Sequence, residues 1–380
     1  MSSYEELFEA SLCREPDKWT KNTLSGLPTC KGVFLFADVS GQPIQLLQSA
    51  NLRRTIQAKL LHEEPTASNR KTDISQLAVK IFYSCCYNYF QLHLTYIQFA
   101  HAVFHKSANN WIQLPKPSFA AIETDAYLPF LHVSENPKTH PNRKVFGLFP
   151  TRKAAAEFCE TLNTVFGLCR NPSLLKSGKE NSCPYLQMET CPGPCLRDKE
   201  RSTYLNAVEQ ACLTAAGKID SAIQNLHHEM TQASKSMQFE QAARLKKHSH
   251  SLEKLTRNDF RWVQNLQDLC ILYVDLDAKR KIAGKNKKRQ RYKACKITAE
   301  SVQELGIFVP RTASQTASFL AHTWDQGQKV VSAKNTAEHL ATLSLFLFRS
   351  NTPGLWLAAD QTPPVNVFEE LSETFKLDVS

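Results

Sequence analysis

Four cysteines, Cys169, Cys183, Cys191 and Cys195, follow one another at x13, x7 and x3 spacing, the last three inside CPYLQMETCPGPC. Thiolates gathered by a short Pro/Gly-rich loop are ligands for soft metals. A set of four holds iron–sulfur clusters and, equally, tetrahedral structural zinc. The spacing lacks the paired CxxC…CxxC of a zinc ribbon, which favours a 4Fe–4S cluster, with zinc as the alternative. The bland reading is four unrelated buried thiols, since free cysteine packs as a small hydrophobe.

Charge is the second chemical feature. The chain carries a formal net charge of +10 and a pI near 9.0, a balance that suits an anionic partner such as nucleic acid. Residues 279–293, KRKIAGKNKKRQRYK, hold nine Lys/Arg and no acid. Within that run Lys285, Lys287, Lys288, Arg289 and Arg291 are candidate phosphate contacts, the competing reading being a solvated loop. Asp275 and Asp277 in YVDLD place two carboxylates on one strand, but no further acid follows in a register that would complete a metal nuclease.

The elements that must position these residues differ along the chain. At 380 residues there is room for two or three domains, each with its own core, and 42% hydrophobic with 22% charged residues is ordinary for a soluble protein. No apolar run approaches the roughly 18–20 residues that span a bilayer. The acidic, charge-broken start MSSYEELFEASLCREPDKW is not a signal peptide. A cytoplasmic protein is expected, whose twelve cysteines are thiols or ligands rather than disulfides.

From residue 24 a β-hairpin is expected, with Val33, Leu35 and Ala37 on one strand, a turn at Ser40-Gly41, and Ile44, Leu46 and Leu47 on the next. Asn51 is placed to cap a helix carrying Leu52, Ile56, Leu60 and Leu61. Residues 74–105 read as helical in at least two pieces, and 117–149 as strands. A helix over 152–166 puts Ala155, Phe158, Leu162, Val165 and Phe166 on one face. Residues 201–257 read as helical, with 219–236 and 238–255 antiparallel and joined at SMQFE. Beyond 260, strand-like runs (CILYVDL, YKACKIT, KVVSA, GLWLAAD) alternate with helices expected near 299–305 and 335–348.

Taken in order, C-x7-CPGPC, Tyr204, Val208, Gly217 and then MTQASKSMQFEQAARLKKHSHSLEKL (230–255) resemble the UvrC family of nucleotide-excision-repair proteins. There a cysteine-rich segment leads into a UVR helical hairpin. Met230, Ala233, Phe239, Glu240, Ala242, Ala243 and Arg244 stand where the UVR motif has its characteristic residues. The resemblance implies a UvrB-like partner for that hairpin, with Phe239 as an aromatic anchor; the competing reading has Phe239 plugging the hairpin's own core. Lys246-Lys247 depart from the Arg-Asp common at that point of the motif. Upstream, LPTCKGVFLFADVSGQPI is similar to the opening of the family's GIY-YIG nuclease domain, and FGLFPTR to the short motif before the cysteines. The resemblance covers about residues 24–257.

It also implies where a nuclease centre would stand. Phe34 occupies the position of the first tyrosine, Gln45 the second, Leu47 the following glycine, Thr55 the arginine, and His93 the metal-binding glutamate. A phenyl ring accepts no proton, threonine offers a phosphate no charge, and neutral histidine is a poor ligand for hard magnesium. His93 retains its own alternatives as a general base or transition-metal ligand, against a packed core histidine. Arg53 and Arg54 are further candidates for DNA phosphates. Neither the RNase H-like domain nor the helix–hairpin–helix pair of full-length members is legible in 258–380.

The expected class is therefore α+β: a degenerate GIY-YIG-like domain (1–115), a strand/helix linker with the four-cysteine cluster (116–200), a UVR-type hairpin (201–257) and a C-terminal α/β unit (258–380). The expected function is a non-catalytic UvrC-like repair accessory protein that binds DNA and a UvrB-like partner, without a membrane role. Two alternatives stand beside it: an active single-incision endonuclease resembling short UvrC homologues, and a metal-stabilised scaffold that does not act on DNA.

Overall fold

The computed structural model describes residues 4–15, 18–61, 74–177, 183–188, 190–191, 193–196, 200–281, 288–326, 329–332, 336–349, 352–360 and 362–377. Its elements are helices set against antiparallel sheets, the α+β arrangement expected.

The first unit contains β1 (Ala10–Cys13), α1 (Lys21–Ser25), β2 (Lys31–Ala37), β3 (Pro43–Ser49), α2 (Leu52–Leu60), α3 (Ile74–Leu77), β4 (Lys80–Cys86) and α4 (Tyr89–Phe104). The sheet order is β1-β4-β2-β3. The hairpin between β2 and β3 turns where expected, with Asp38 Oδ1 accepting from the backbone N–H groups of Ser40 and Gln42, both at 2.8 Å. Asn51 caps α2 by accepting from Arg54 N at 3.0 Å. Alternation along β2 sends Phe34 and Phe36 to the α1/α2 face and Val33, Leu35 and Ala37 to the α4 face.

Residues 80–86 correct the helical reading of 74–105, because they form the central strand β4 between β1 and β2. A strand covered on both faces carries apolar residues without alternation, and periodicity alone does not separate it from a buried helix.

The middle unit follows with β5 (Phe119–Glu123), β6 (His132–Ser134), β7 (Arg143–Gly147), α5 (Arg152–Val165), α6 (Pro172–Ser177), α7 (Pro184–Gln187), α8 (Arg201–Ala215), α9 (Ile219–Lys235), α10 (Phe239–Glu253) and β8 (Gln264–Asn265). Thr151 caps α5, whose Ala155, Phe158 and Leu162 are fully buried, as the spacing requires. After the helical hairpin the chain returns, and β8 closes the sheet order β6-β5-β7-β8.

The C-terminal unit contains β9 (Cys270–Lys281), β10 (Lys288–Thr298), β11 (Ser301–Phe308), α11 (Ala313–Thr323), β12 (Lys329–Ser332), α12 (Thr336–Leu347), β13 (Leu355–Ala358) and α13 (Val367–Phe375), in sheet order β12-β11-β10-β9-β13. Here the helix expected near 299–305 is a strand. Ala294 faces Gly306 while Cys295 faces Glu304, so Leu305 is an extra residue in β11. That bulge, with Gly306 at φ +132°, re-phases the strand and buries Val302, Leu305 and Phe308 at a spacing of three. A spacing of three in sequence mimics a helix.

The units share cores. One face of the middle sheet (Ala120, Ile122, Phe146) packs on α5, α8 and the helical hairpin. The opposite face (Phe119, Ala121, Val145) packs on Ile271, Tyr273 and Ile297 of the C-terminal sheet. Phe90 of α4 enters this second core, its ring 4.9 Å from Tyr273, 5.3 Å from Phe346 and 5.1 Å from Trp356.

Candidate functional site

The cysteine loop begins where α5 ends. Gly167 is in the left-handed region and Leu168 N donates back to Asn163 O at 2.8 Å, which turns the chain sharply into Cys169. Tyr204 of α8 then clamps the turn: its hydroxyl accepts from Cys169 N at 3.1 Å and donates to Pro129 O at 2.6 Å, the latter bond fully buried. Burial, followed by the nearby thiols, raises the Tyr204 hydroxyl far above its usual range, so it stays a neutral donor.

Cys183 stands just before α7, with its carbonyl accepting from Leu186 N and Gln187 N, both at 3.1 Å. Tyr185 O accepts from Thr190 N and Cys191 N at 3.0 and 3.1 Å, which folds the loop back on the helix. Gly193 is at φ +72°, and a Cβ there would lie 2.7 Å from Leu186 Cδ1, so a side chain at that position would strain the backbone and displace Leu186. Arg170 spans the loop, its guanidinium 3.9 Å from the Tyr185 ring centroid and donating to Thr190 O and Oγ1 at 3.1 Å.

Folding therefore brings all four cysteines to the wall of one cavity of ≈ 30 Å³, together with Leu128, Leu168, Leu186 and Pro194. Burial first, and the neighbouring Cys191, Cys195 and Cys183 after it, push the Cys169 thiol up. As a donor set, four sulfurs in an apolar lining fit a soft cation, whose charge reverses that upward pressure. Among the described residues, however, no three Cys, His, Asp or Glu side chains stand at the mutual spacing of a ligated ion. The arrangement is a thiol-lined pocket whose donors are of the right kind and share one wall.

The helical hairpin rises beside this loop. Ile219, Ala222, Ile223 and Leu226 of α9 and Leu252 of α10 join the middle core, so the base is fixed. At the far end Gln238 N donates to Ala233 O at 2.8 Å and Met237 sits at φ +57°. Ala233 is buried between the helices and Met230 and Ala242 are half-buried, whereas Glu240, Ala243 and Arg244 are exposed. Phe239 is 66% and Met237 78% exposed, so neither fills a core. Met237 is a feature that sequence reasoning missed; only its unusual backbone angle and exposure reveal it. On α10, burial, then the charges of Arg244, Lys247 and Arg170, hold His248 below the usual histidine range.

The nuclease-like positions do not assemble into one centre. Phe34 is fully buried opposite Leu47, and Phe36 lies opposite Gln45, so Phe34, Gln45 and Leu47 share the α2 face of the sheet. Thr55 Oγ1 is 2.6 Å from Ser49 Oγ. The carbonyl oxygen of Gln45 is buried without a hydrogen-bond partner. His93 belongs to α4, which covers the other face, and its ring stands 5.9 Å from Phe346. Burial lowers its pKa, and its Nε2 has no partner. It is a packed neutral histidine. Arg53 is bound to backbone, with Nε donating to Leu27 O at 2.6 Å, while Arg54 is exposed.

The carboxylate pair on β9 is likewise engaged. Asp275 accepts from Tyr273 Oη at 2.7 Å and from Leu276 N at 2.6 Å, and burial raises its pKa. Asp277 lies 3.0 Å from the Arg291 guanidinium; the alignment is too poor for a hydrogen bond to Oδ2, and the close opposite charge is what compensates its burial. Of the predicted phosphate contacts, Lys288 and Arg289 are exposed, Arg291 is half-buried, and Lys285 and Lys287 lie outside the described residues. A polar cleft of ≈ 170 Å³ between α4 and the C-terminal sheet, lined by Asn88, Gln91, Thr95, Gln98, Lys293 and Glu304, had no signal in the sequence. Among the described residues no helix is long and apolar enough to cross a membrane.

Residues 119–214, from β5 through α8, match the UvrC/Cho excinuclease middle domain. That stretch contains all four loop cysteines and Tyr204, so the protein is of the class that carries such a domain. The chain is similar to UvrABC system protein C of Nitratidesulfovibrio vulgaris, 25% identical over 233 residues, which is 61% of this chain and 33% of that protein. Against the UvrABC system protein C of Cronobacter sakazakii it is 24% identical over 274 residues, 68% of this chain and 42% of the relative. Against that of Klebsiella pneumoniae it is 28% identical over 184 residues, 45% and 30% respectively. The chain thus carries a UvrC/Cho-type middle domain and is similar to UvrABC system protein C, spanning between about a third and two fifths of the length of the first two relatives. No solved structure matches it.

Proposed function

We propose that this chain serves nucleotide excision repair as a non-catalytic accessory protein, binding DNA and a UvrB-like partner. The observation that carries the reading is the juxtaposition, inside and beside the UvrC/Cho match, of a four-thiol pocket and a hairpin that presents Phe239 to solvent. Cys169, Cys183, Cys191 and Cys195 would hold a 4Fe–4S cluster, or zinc in its place, and the metal would tie α5, the loop and α8 into one rigid joint. Met237, Phe239 and the exposed Ala243 would meet the partner's helices, since an exposed aromatic beside small residues suits close helix packing. The dry packing of Phe34 and the separation of His93 from it support loss of phosphodiester cleavage.

Three measurements test this. Purified protein should contain iron with sulfide, or zinc, in stoichiometric amount, and Cys191→Ala should lose it; metal-free native protein would remove the cofactor from the reading. Capture of a UvrB-like protein on immobilised native chain, lost with Phe239→Ala, is the expected partner result. Incision of damaged DNA with Mg²⁺ or Mn²⁺ that disappears in His93→Ala would overturn the non-catalytic assignment.

A further inference from the structure

β9 and β10 outrun their sheet. β13 pairs with β9 only over Ile271–Val274, and β11 reaches β10 only as far as Tyr292. Beyond these points the two strands continue alone to Lys281 and from Lys288, as a two-stranded ribbon. At its outer end Arg280 faces Arg289 and Lys281 faces Lys288 in register. Side chains directly opposite one another share a face, and successive pairs alternate faces. The arginine pair therefore lies on one face and the lysine pair on the other, and all four side chains are exposed.

Like charges placed directly across a ladder repel. Ion pairs occur lower down: Arg291 with Asp277 at 3.0 Å at the ribbon's root, and Lys293 with Glu304 at 2.7 Å within the sheet below it. Among the described residues the four outer cations have no carboxylate partner. The root is braced as well. Ala278 and Lys279 together oppose Gln290, a bulge that re-aims the ribbon. Gln290 Nε2 donates to Asp277 O at 2.6 Å and Arg291 O at 2.8 Å, and Arg291 Nε to Ala278 O at 3.0 Å. Arg291, expected from sequence to touch phosphate, is instead a positioning residue that fixes the direction of the tip.

We infer that this ribbon enters a groove of double-stranded nucleic acid, with Arg280 and Arg289 on one phosphate wall and Lys281 and Lys288 on the other. A vesicle surface or an acidic peptide lying on the ribbon meets one face; a duplex groove presents phosphates on both sides. The major groove of B-DNA, about 12 Å wide, admits a two-stranded β-ribbon. The inference rests on the nucleic-acid part of the proposed function and adds to it the surface used and the preference for duplex.

The test is fluorescence anisotropy of the full chain on a labelled blunt duplex, on one of its strands, and on vesicles containing phosphatidylserine, each over a salt series. Arg280→Ala/Arg289→Ala and Lys281→Ala/Lys288→Ala should each weaken duplex binding about tenfold and flatten the salt slope by about 1.8, two phosphate contacts apiece. Arg280→Lys/Arg289→Lys should keep both the binding and the slope, which separates charge from folding. Loss from only one face, equal losses on single strand and duplex, or comparable vesicle binding would each overturn the groove assignment. Unchanged duplex binding after all four alanine substitutions would refute the ribbon while leaving nucleic-acid binding intact. A native chain that binds no nucleic acid would remove both.

Discussion

The N-terminal sheet and the cysteine loop treat chemically important positions in opposite ways. In the sheet, Phe34 and Leu47 are sealed against α2, and His93 belongs to a helix on the other face. In the loop, four thiols from separate points of the chain line one cavity, held by Tyr204, Arg170 and the positive-φ Gly193. The contrast teaches that positions sealed between sheet and helix contribute packing alone. A polar site, by comparison, requires dedicated supports in order to exist at all.

The contrast can be broken most directly at Phe34. Phe34→Ala should destabilise the protein by about 3–5 kcal/mol, because the side chain is fully buried against Phe36; urea unfolding measures it. A loss below about 1 kcal/mol would mean that the sheet is not a dry core. Next comes Tyr204→Phe, which removes one donor and one acceptor and orphans Pro129 O and Cys169 N, at a cost of about 1–3 kcal/mol. Metal content should fall along with stability if the clamp positions the loop.

Histidine burial sharpens the comparison through pH. His93 and His339 are both held below the usual 6.5 by burial. Above that value neither state is protonated and there is no penalty. As pH falls below about 6.5 the unfolded chain takes up protons that the folded one refuses, so stability declines by at most about 1.4 kcal/mol per pH unit for each histidine. Denaturant midpoints followed from pH 7.5 downward should show this decline, and His93→Phe should make it shallower; an unchanged slope would mean that His93 titrates freely. The smallest effect is expected at the exposed hairpin tip, where Phe239→Ala should change stability by no more than about 0.5 kcal/mol. Its effect should be on partner capture, and a large loss of stability would show a packing role instead.

Much of the first and middle units was legible because its signals are local. The spacing of Ala155, Phe158 and Leu162, the Asn51 cap and the turn at Ser40-Gly41 all depend on residues a few positions apart. The two hairpin helices were legible for the same reason. β4 was misread because a strand between two layers has no polar face, and β11 because one bulged residue changed a period of two into a spacing of three. The polar cleft between α4 and the C-terminal sheet joins segments about two hundred residues apart in the chain, as the Asn88 side chain donating to Leu276 O at 3.2 Å illustrates.

By itself, the order of residues determined which donors were available: four sulfurs in a Pro/Gly-rich stretch, a surplus of cations near 280–291, and no tyrosine where a nuclease of the resembled kind has its first. Tertiary structure alone decided which of them meet. It turned the sulfurs toward one cavity, tied Arg291 to Asp277 and left Arg280, Lys281, Lys288 and Arg289 to solvent. The reason is physical: residue type fixes what a side chain can bind, but its partner is set by burial and strand register, which depend on contacts between segments remote in the chain.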